Sequence, residues 1–107
     1  MKLSSPSSYG LWDGEKLLAE CAFAKEGDAL LIERITVFEP VEGMDVYDAL
    51  LRAVTSFMSR FAPKTVLCRE QSLFEELIRL RFVARDGWVE STPEEVLRHL
   101  CCGDGQA

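Results

Sequence analysis

Histidine is almost missing from this chain of 107 residues: His99 is the only one. A single histidine near the C-terminal end offers no basis for a Ser-His-Asp set. Cysteine occurs four times, at Cys21, Cys68, Cys101 and Cys102, with no C-x-x-C pair. That removes the usual zinc-ribbon and dithiol spacings. No apolar run approaches the ~18 residues of a membrane helix. The opening Met-Lys-Leu-Ser-Ser-Pro-Ser-Ser has no apolar stretch behind its lysine, so a secretory signal is not expected. Positive charge is also scarce, with 12 Lys plus Arg against 18 Asp plus Glu and a formal net charge of -6. That sign excludes a basic sheath for DNA or RNA. No Walker-type or dinucleotide loop is present, and no internal repeat.

What is present is an ordinary globular balance, 48% apolar and 28% charged. The length suits one domain and is too short for two. Residues 1–8 are rich in Ser and Pro and are expected to be loose. Residues 9–101 read as a single domain and 102–107 as a tail. Cys21 and Cys68 lie inside apolar runs, where a free thiol behaves as a small hydrophobe. A reducing, cytoplasmic setting is the expectation. His99-Leu100-Cys101-Cys102 could meet a metal only by accident and reads as a disordered tail end, so no metal ligands are assigned.

The patterning starts as a strand meander. Tyr9 to Trp12 reads as a short strand and Asp13-Gly14 as a turn. Leu17, Ala19, Cys21 and Phe23 then share one strand face at period two. Glu26-Gly27-Asp28 marks the next turn, and Ala29 to Phe38 is a long β-rich run. Pro40 ends that pattern. From Asp45 to Phe61 the period becomes helical, with Val46, Leu50, Val54, Phe57, Met58 and Phe61 on one stripe. Asp45 is the expected N-cap. Lys64 to Cys68 reads as a short buried strand. Ser72 and Glu75 suggest a capping box for a helix over 72–80. Phe82-Val83 and Trp88-Val89 bracket an Asp86-Gly87 turn. Thr92-Pro93-Glu94-Glu95 opens a last helix. The expected class is α+β, order β-β-β-α-β-α-β-(β)-α, with a mainly antiparallel sheet and one parallel join through the long helix.

Two motifs within this order resemble the GNAT N-acetyltransferase superfamily. Val37 to Leu51, V-F-E-P-V-E-G-M-D-V-Y-D-A-L-L, is similar to its acetyl-CoA segment: a strand ending in Val, a Gly-containing loop, then a helix with a Leu-Leu pair. Leu77-Ile-Arg-Leu-Arg-Phe82 looks like the Tyr-x-Lys-Leu-Gly-Phe ending of the family. The resemblance covers residues 9–91 and implies a minimal GNAT-like core. The family's first strand and the helix pair that shapes its acceptor site have no room in this length. The implied ligand is acetyl-CoA or another CoA-type molecule. Backbone groups of Ile35 and Val37 would align its pantetheine arm. Gly43, Met44, Asp45, Val46 and Tyr47 would face its phosphates at a helix N-terminus.

The residues at those positions depart from the family pattern. Glu42 stands where a basic residue is frequent, Asp45 at the second glycine and Tyr47 at a third small position. Glu39, Glu42, Asp45 and Asp48 place four carboxylates in ten residues, without one Lys or Arg among them. An Asp45 cap would occupy the N–H groups a phosphate needs, and its carboxylate is expected to stand in for the pyrophosphate. Leu77 falls where the family has a tyrosine acid, and leucine carries no proton to give. Glu33 shares strand parity with Leu31, Ile35 and Val37; it is either a base at the acyl site or a solvent-facing carboxylate. Arg79, Arg81 and Arg85 read as a solvated rim with local Glu partners. Three readings follow: a degenerate GNAT-fold domain with a binding or regulatory role, an active N-acetyltransferase, or a ligand-free homodimeric module. The first, which could engage a protein partner, is favoured by the loop chemistry.

Overall fold

The computed structural model describes residues 2–5 and 7–102. The elements in chain order are β1 (Lys2–Ser5), β2 (Ser8–Asp13), β3 (Lys16–Glu26), β4 (Ala29–Val37), α1 (Val46–Met58), β5 (Thr65–Cys68), α2 (Phe74–Arg79), β6 (Val83–Ala84), β7 (Val89–Ser91) and α3 (Pro93–Cys102). They form one seven-stranded sheet in the order β1-β2-β3-β4-β5-β7-β6. β4 and β5 run parallel, and the other neighbours are antiparallel. The α+β class and the single parallel join agree with the sequence reading, because α1 supplies the crossover that a parallel pair needs.

The local chemistry explains most boundaries. Two tight turns join β2 to β3 and β3 to β4, and Gly14 and Gly27 take the positive φ those turns require. At the head of α1, Asp45 Oδ1 accepts the Asp48 N–H at 3.2 Å, as an N-cap should. At α3, Thr92 Oγ1 accepts the Glu95 N–H at 3.1 Å, and Pro93 is the first helical residue.

The core lies where α1 packs on the sheet. Leu50, Leu51 and Val54 of α1 are buried with Ala19, Cys21 and Phe23 of β3 and Leu30, Ile32 and Ile35 of β4. Burying each large aliphatic side chain contributes about 1.5–3 kcal/mol, so this layer holds the helix in place. Ala19, Cys21 and Phe23 share the buried face of β3 as expected, but Leu17 does not. Leu11 pairs with Ala19 and Trp12 with Leu17, so a bulge at Leu18 puts Leu17 out of phase and Leu18 packs against the core instead. Cys21 and Cys68 are free and buried. Burial pushes the Cys21 thiol up to about 12, so it packs as a hydrophobe.

Four further expectations are corrected. The opening segment, read as loose, contributes β1, which pairs with β2 at Lys2 with Gly10 and Leu3 with Tyr9. A strand therefore does precede the meander, because a Ser-rich edge strand needs only backbone pairing, not an apolar face. Ser72 does not cap a helix: its hydroxyl donates to Glu70 Oε2 at 2.7 Å, and a 3-10 turn over Gln71–Leu73 leads into the short α2. Phe61 leaves the α1 stripe and is 48% exposed, because a 3-10 turn over Ser59–Phe61 ends the helix. Glu33 does not share parity with Ile35. Ala22 pairs with Arg34 while Phe23 pairs with Ile32, so Glu33 is the extra residue of a bulge. That bulge lets both Ile32 and Ile35 reach the core while Glu33 stays exposed. The side chain of Ile35 lies in the core; the resemblance places only its backbone at a ligand arm.

Candidate acyl-CoA cleft

β5 is only four residues long and pairs with β4 only from Ala29 to Ile32. β4 runs on to Val37, paired there with β3 alone. The outer half of β4 therefore presents an open edge, and a cleft lies on each side of the fork. At the fork, Glu33 and Arg34 of β4 face Arg69 and Glu70 beyond β5 across a depression of about 370 Å³. Arg69 is tied away by a bidentate pair with Glu26, at 2.8 and 3.2 Å. Glu33 is thus on the rim of this fork, as a solvent-facing carboxylate.

The second cleft, about 270 Å³, lies between the end of β4 and the start of α1. Val37, Met44, Asp45, Val46 and Tyr47 all line it, so five of the residues assigned by resemblance do come together. Gly43 is exposed in the same loop but outside the lining. Tyr47 both lines the cleft and packs partly buried against the core.

One residue of this cleft was not singled out for it. Arg79, from the end of α2, places Nη1 2.9 Å from Asp45 Oδ2 and Nη2 2.7 Å from Glu76 Oε1. Partial burial pushes the Asp45 carboxyl up, but the Arg79 hydrogen bond and the Asp48 N–H outweigh it and hold it below its usual range. Hydrogen bonds to Asp45 and Glu76 raise Arg79 and keep it charged. Asp45 thus sits as an anion between a helix N-terminus and a guanidinium, the environment a bound phosphate would find. The residues present do not fit a CoA pyrophosphate at this point, because its donors are already taken.

Two of the three remaining loop carboxylates are also compensated. Glu39 meets Lys16 at 2.8 Å and Asp48 meets Arg52 at 3.3 Å. The acidic run is therefore much less acidic in space than along the chain. Only Arg52 had a readable signal, the i,i+4 spacing from Asp48. Of the three arginines read as a rim, Arg85 pairs with Glu90 at 3.2 Å, and Trp88 Nε1 donates to the same carboxylate at 2.9 Å. Leu77, which the resemblance aligns with a tyrosine acid, is fully buried. Among the described residues, no group of three or more His, Cys, Asp or Glu is placed to hold a metal ion. The side chains of His99, Cys101 and Cys102 lie outside the described residues. Among those residues, too, no helix is long and apolar enough to cross a membrane.

No family model and no curated protein matches the sequence. Solved structures do match the fold, two of them as follows. A variant of the cAMP-binding acyltransferase from Mycobacterium smegmatis superposes with a TM-score of 0.60 at 12% identity, covering 92% of this chain and 39% of that one. Nourseothricin acetyltransferase superposes with a TM-score of 0.56 at 19% identity, covering 79% of this chain and 62% of that one. The chain thus spans less than two thirds of either neighbour. These likenesses, together with the mainly antiparallel sheet and its α1 crossover, give this chain a GNAT-like fold.

Proposed function

We propose that this is a degenerate GNAT-fold domain, with acyl transfer weak or lost and a binding or regulatory role in its place. The observation that supports it is the Asp45 carboxylate, held by the Asp48 N–H and by Arg79 where a phosphate would dock. Glu42 adds a second negative charge nearby in the loop, and a pyrophosphate would enter against both. The open edge of β4 and the lining of Val37, Val41 and Tyr47 remain able to take a ligand of another kind.

Calorimetric titration with acetyl-CoA tests this reading. The natural protein should show no binding at millimolar ligand. The double variant Glu42→Arg, Asp45→Gly should bind at least tenfold more tightly than the natural protein. Micromolar binding by the natural protein would overturn the proposal, and an unimproved double variant would overturn the blocked-site account of it.

A second reading is an active N-acetyltransferase using acetyl-CoA and an amine. It draws on the fork, which leaves Glu33 and Glu70 beside the open end of β4. On that reading Glu33→Gln would abolish acetylation across a panel of small amines while leaving acetyl-CoA affinity unchanged.

A further inference from the structure

The fork, the loop cleft and a third depression beside Arg85 all have carboxylates in their walls: Glu33 and Glu70, Asp45 and Glu76, Glu90 and Glu95. One further pocket has none. It lies at the C-terminal end of α1, has a volume of about 370 Å³, and is walled by Phe23, Phe57, Met58 and Phe61 with Lys25 and Arg60. In a chain with 18 acidic residues and a net charge of -6, a pocket with two cations and no Asp or Glu is a local reversal of sign.

The pocket is built by the way α1 ends. The 3-10 turn over Ser59–Phe61 closes on Ala62, whose φ of 50° lies in the left-handed region. That turn leaves Phe61 half exposed. Arg60 lies over two rings, its Cζ 4.5 Å from the centroid of Phe57 and 5.4 Å from that of Phe61. The rings continue inward, with Phe57 5.6 Å from Tyr9 and 6.1 Å from Phe23. Among the described residues Arg60 has no carboxylate partner, and Lys25 Nζ only donates to the Gly27 carbonyl at 3.0 Å.

We propose that this pocket binds a small carboxylate with an aromatic or aliphatic body. The ring wall takes the body, and its volume falls within the range of small-molecule pockets. The guanidinium of Arg60, held over the rings, offers a fork of N–H donors that matches a carboxylate. Lys25 adds a second positive charge. The carbonyl end of α1 opposes an anion here, so the two cations must outweigh it. An amine would meet like charge, and a neutral amide would leave the guanidinium without its anion.

The test is a titration of the uniformly ¹⁵N-labelled full chain with 4-phenylbutyrate, and in parallel with 4-phenylbutyramide as its neutral match. Saturable amide shifts at Ser7, Lys25 and residues 57–61 are expected with the acid. The amide should bind at least tenfold more weakly. Arg60→Gln, an exposed change that leaves the fold intact, should weaken the acid about tenfold. Absence of saturable shifts at those residues, equal affinity for acid and amide, or an unaffected Arg60→Gln variant would each overturn the proposal.

Discussion

Asp45 and Arg79 meet at 2.9 Å across the head of α1, joining the loop that precedes the helix to the end of α2. The contact does two things at once. It fixes the approach of α2 to the cleft, and it fills the anion position of the helix N-terminus from within the chain.

Removing Asp45 should be felt in stability as well as in ligand binding. Asp45→Ala loses a cap and an ion pair, and should cost about 1–2 kcal/mol in urea unfolding. Arg79→Gln should cost less, about 0–1 kcal/mol, because the pair is half exposed and solvent screens it. The pH dependence has a definite sign. Partial burial works against it, but Arg79 and the Asp48 N–H keep Asp45 below its ordinary value. Its contribution is therefore complete above pH ~4 and disappears as pH falls through the lowered value. Arg79→Gln should flatten that acid limb, and an unchanged limb would show that the pair is not what lowers Asp45.

Arg81 ends α2 in a conformation suited to glycine. Its φ is 77°, its N–H donates to the Ile78 carbonyl at 3.0 Å, and the Phe82 N–H donates to the Leu77 carbonyl at 2.9 Å. That is the two-bond Schellman ending, with the buried Phe82 and Leu77 side chains as its apolar contact. Arg81→Gly should raise stability by about 1 kcal/mol, since a left-handed residue with a Cβ costs about 1–2 kcal/mol. A thermal melt of the two proteins decides it.

Thr55 is fully buried in α1, and among the described residues its hydroxyl has no hydrogen-bond partner. Thr55→Val keeps the shape and removes the stranded polar group. Guanidinium unfolding should show a gain of about 1 kcal/mol, and a loss would mean that the hydroxyl is bonded in solution.

A side chain at Gly10 on β2 requires the Leu17 and Trp12 side chains to shift. A Cβ there would lie 2.7 Å from both Leu17 Cδ1 and Trp12 Nε1. Gly10→Ala should destabilise the fold by about 1–3 kcal/mol, as overpacking does. Trp12 reports on the same site, so its fluorescence should change together with the melting temperature.

Strand and helix types, the caps at Asp45 and Thr92, the parallel crossover and the GNAT resemblance were all legible in the chain. Each depends on period, turn residues or contacts a few positions apart, and such signals survive in one dimension. Five of the cleft residues were legible for the same reason, since they form one loop and helix start. Tertiary structure alone decided the rest. The bulge at Glu33 comes from pairing with β3, where one strand carries an extra residue. Phe61 and Arg60 form a pocket wall because the helix tightens and turns away at its end. Above all, Lys16 and Arg79 reach the acidic loop from distant elements. Charge along a chain counts neighbours in sequence, but the energy of an ion pair depends on distance in space, and only folding sets that distance.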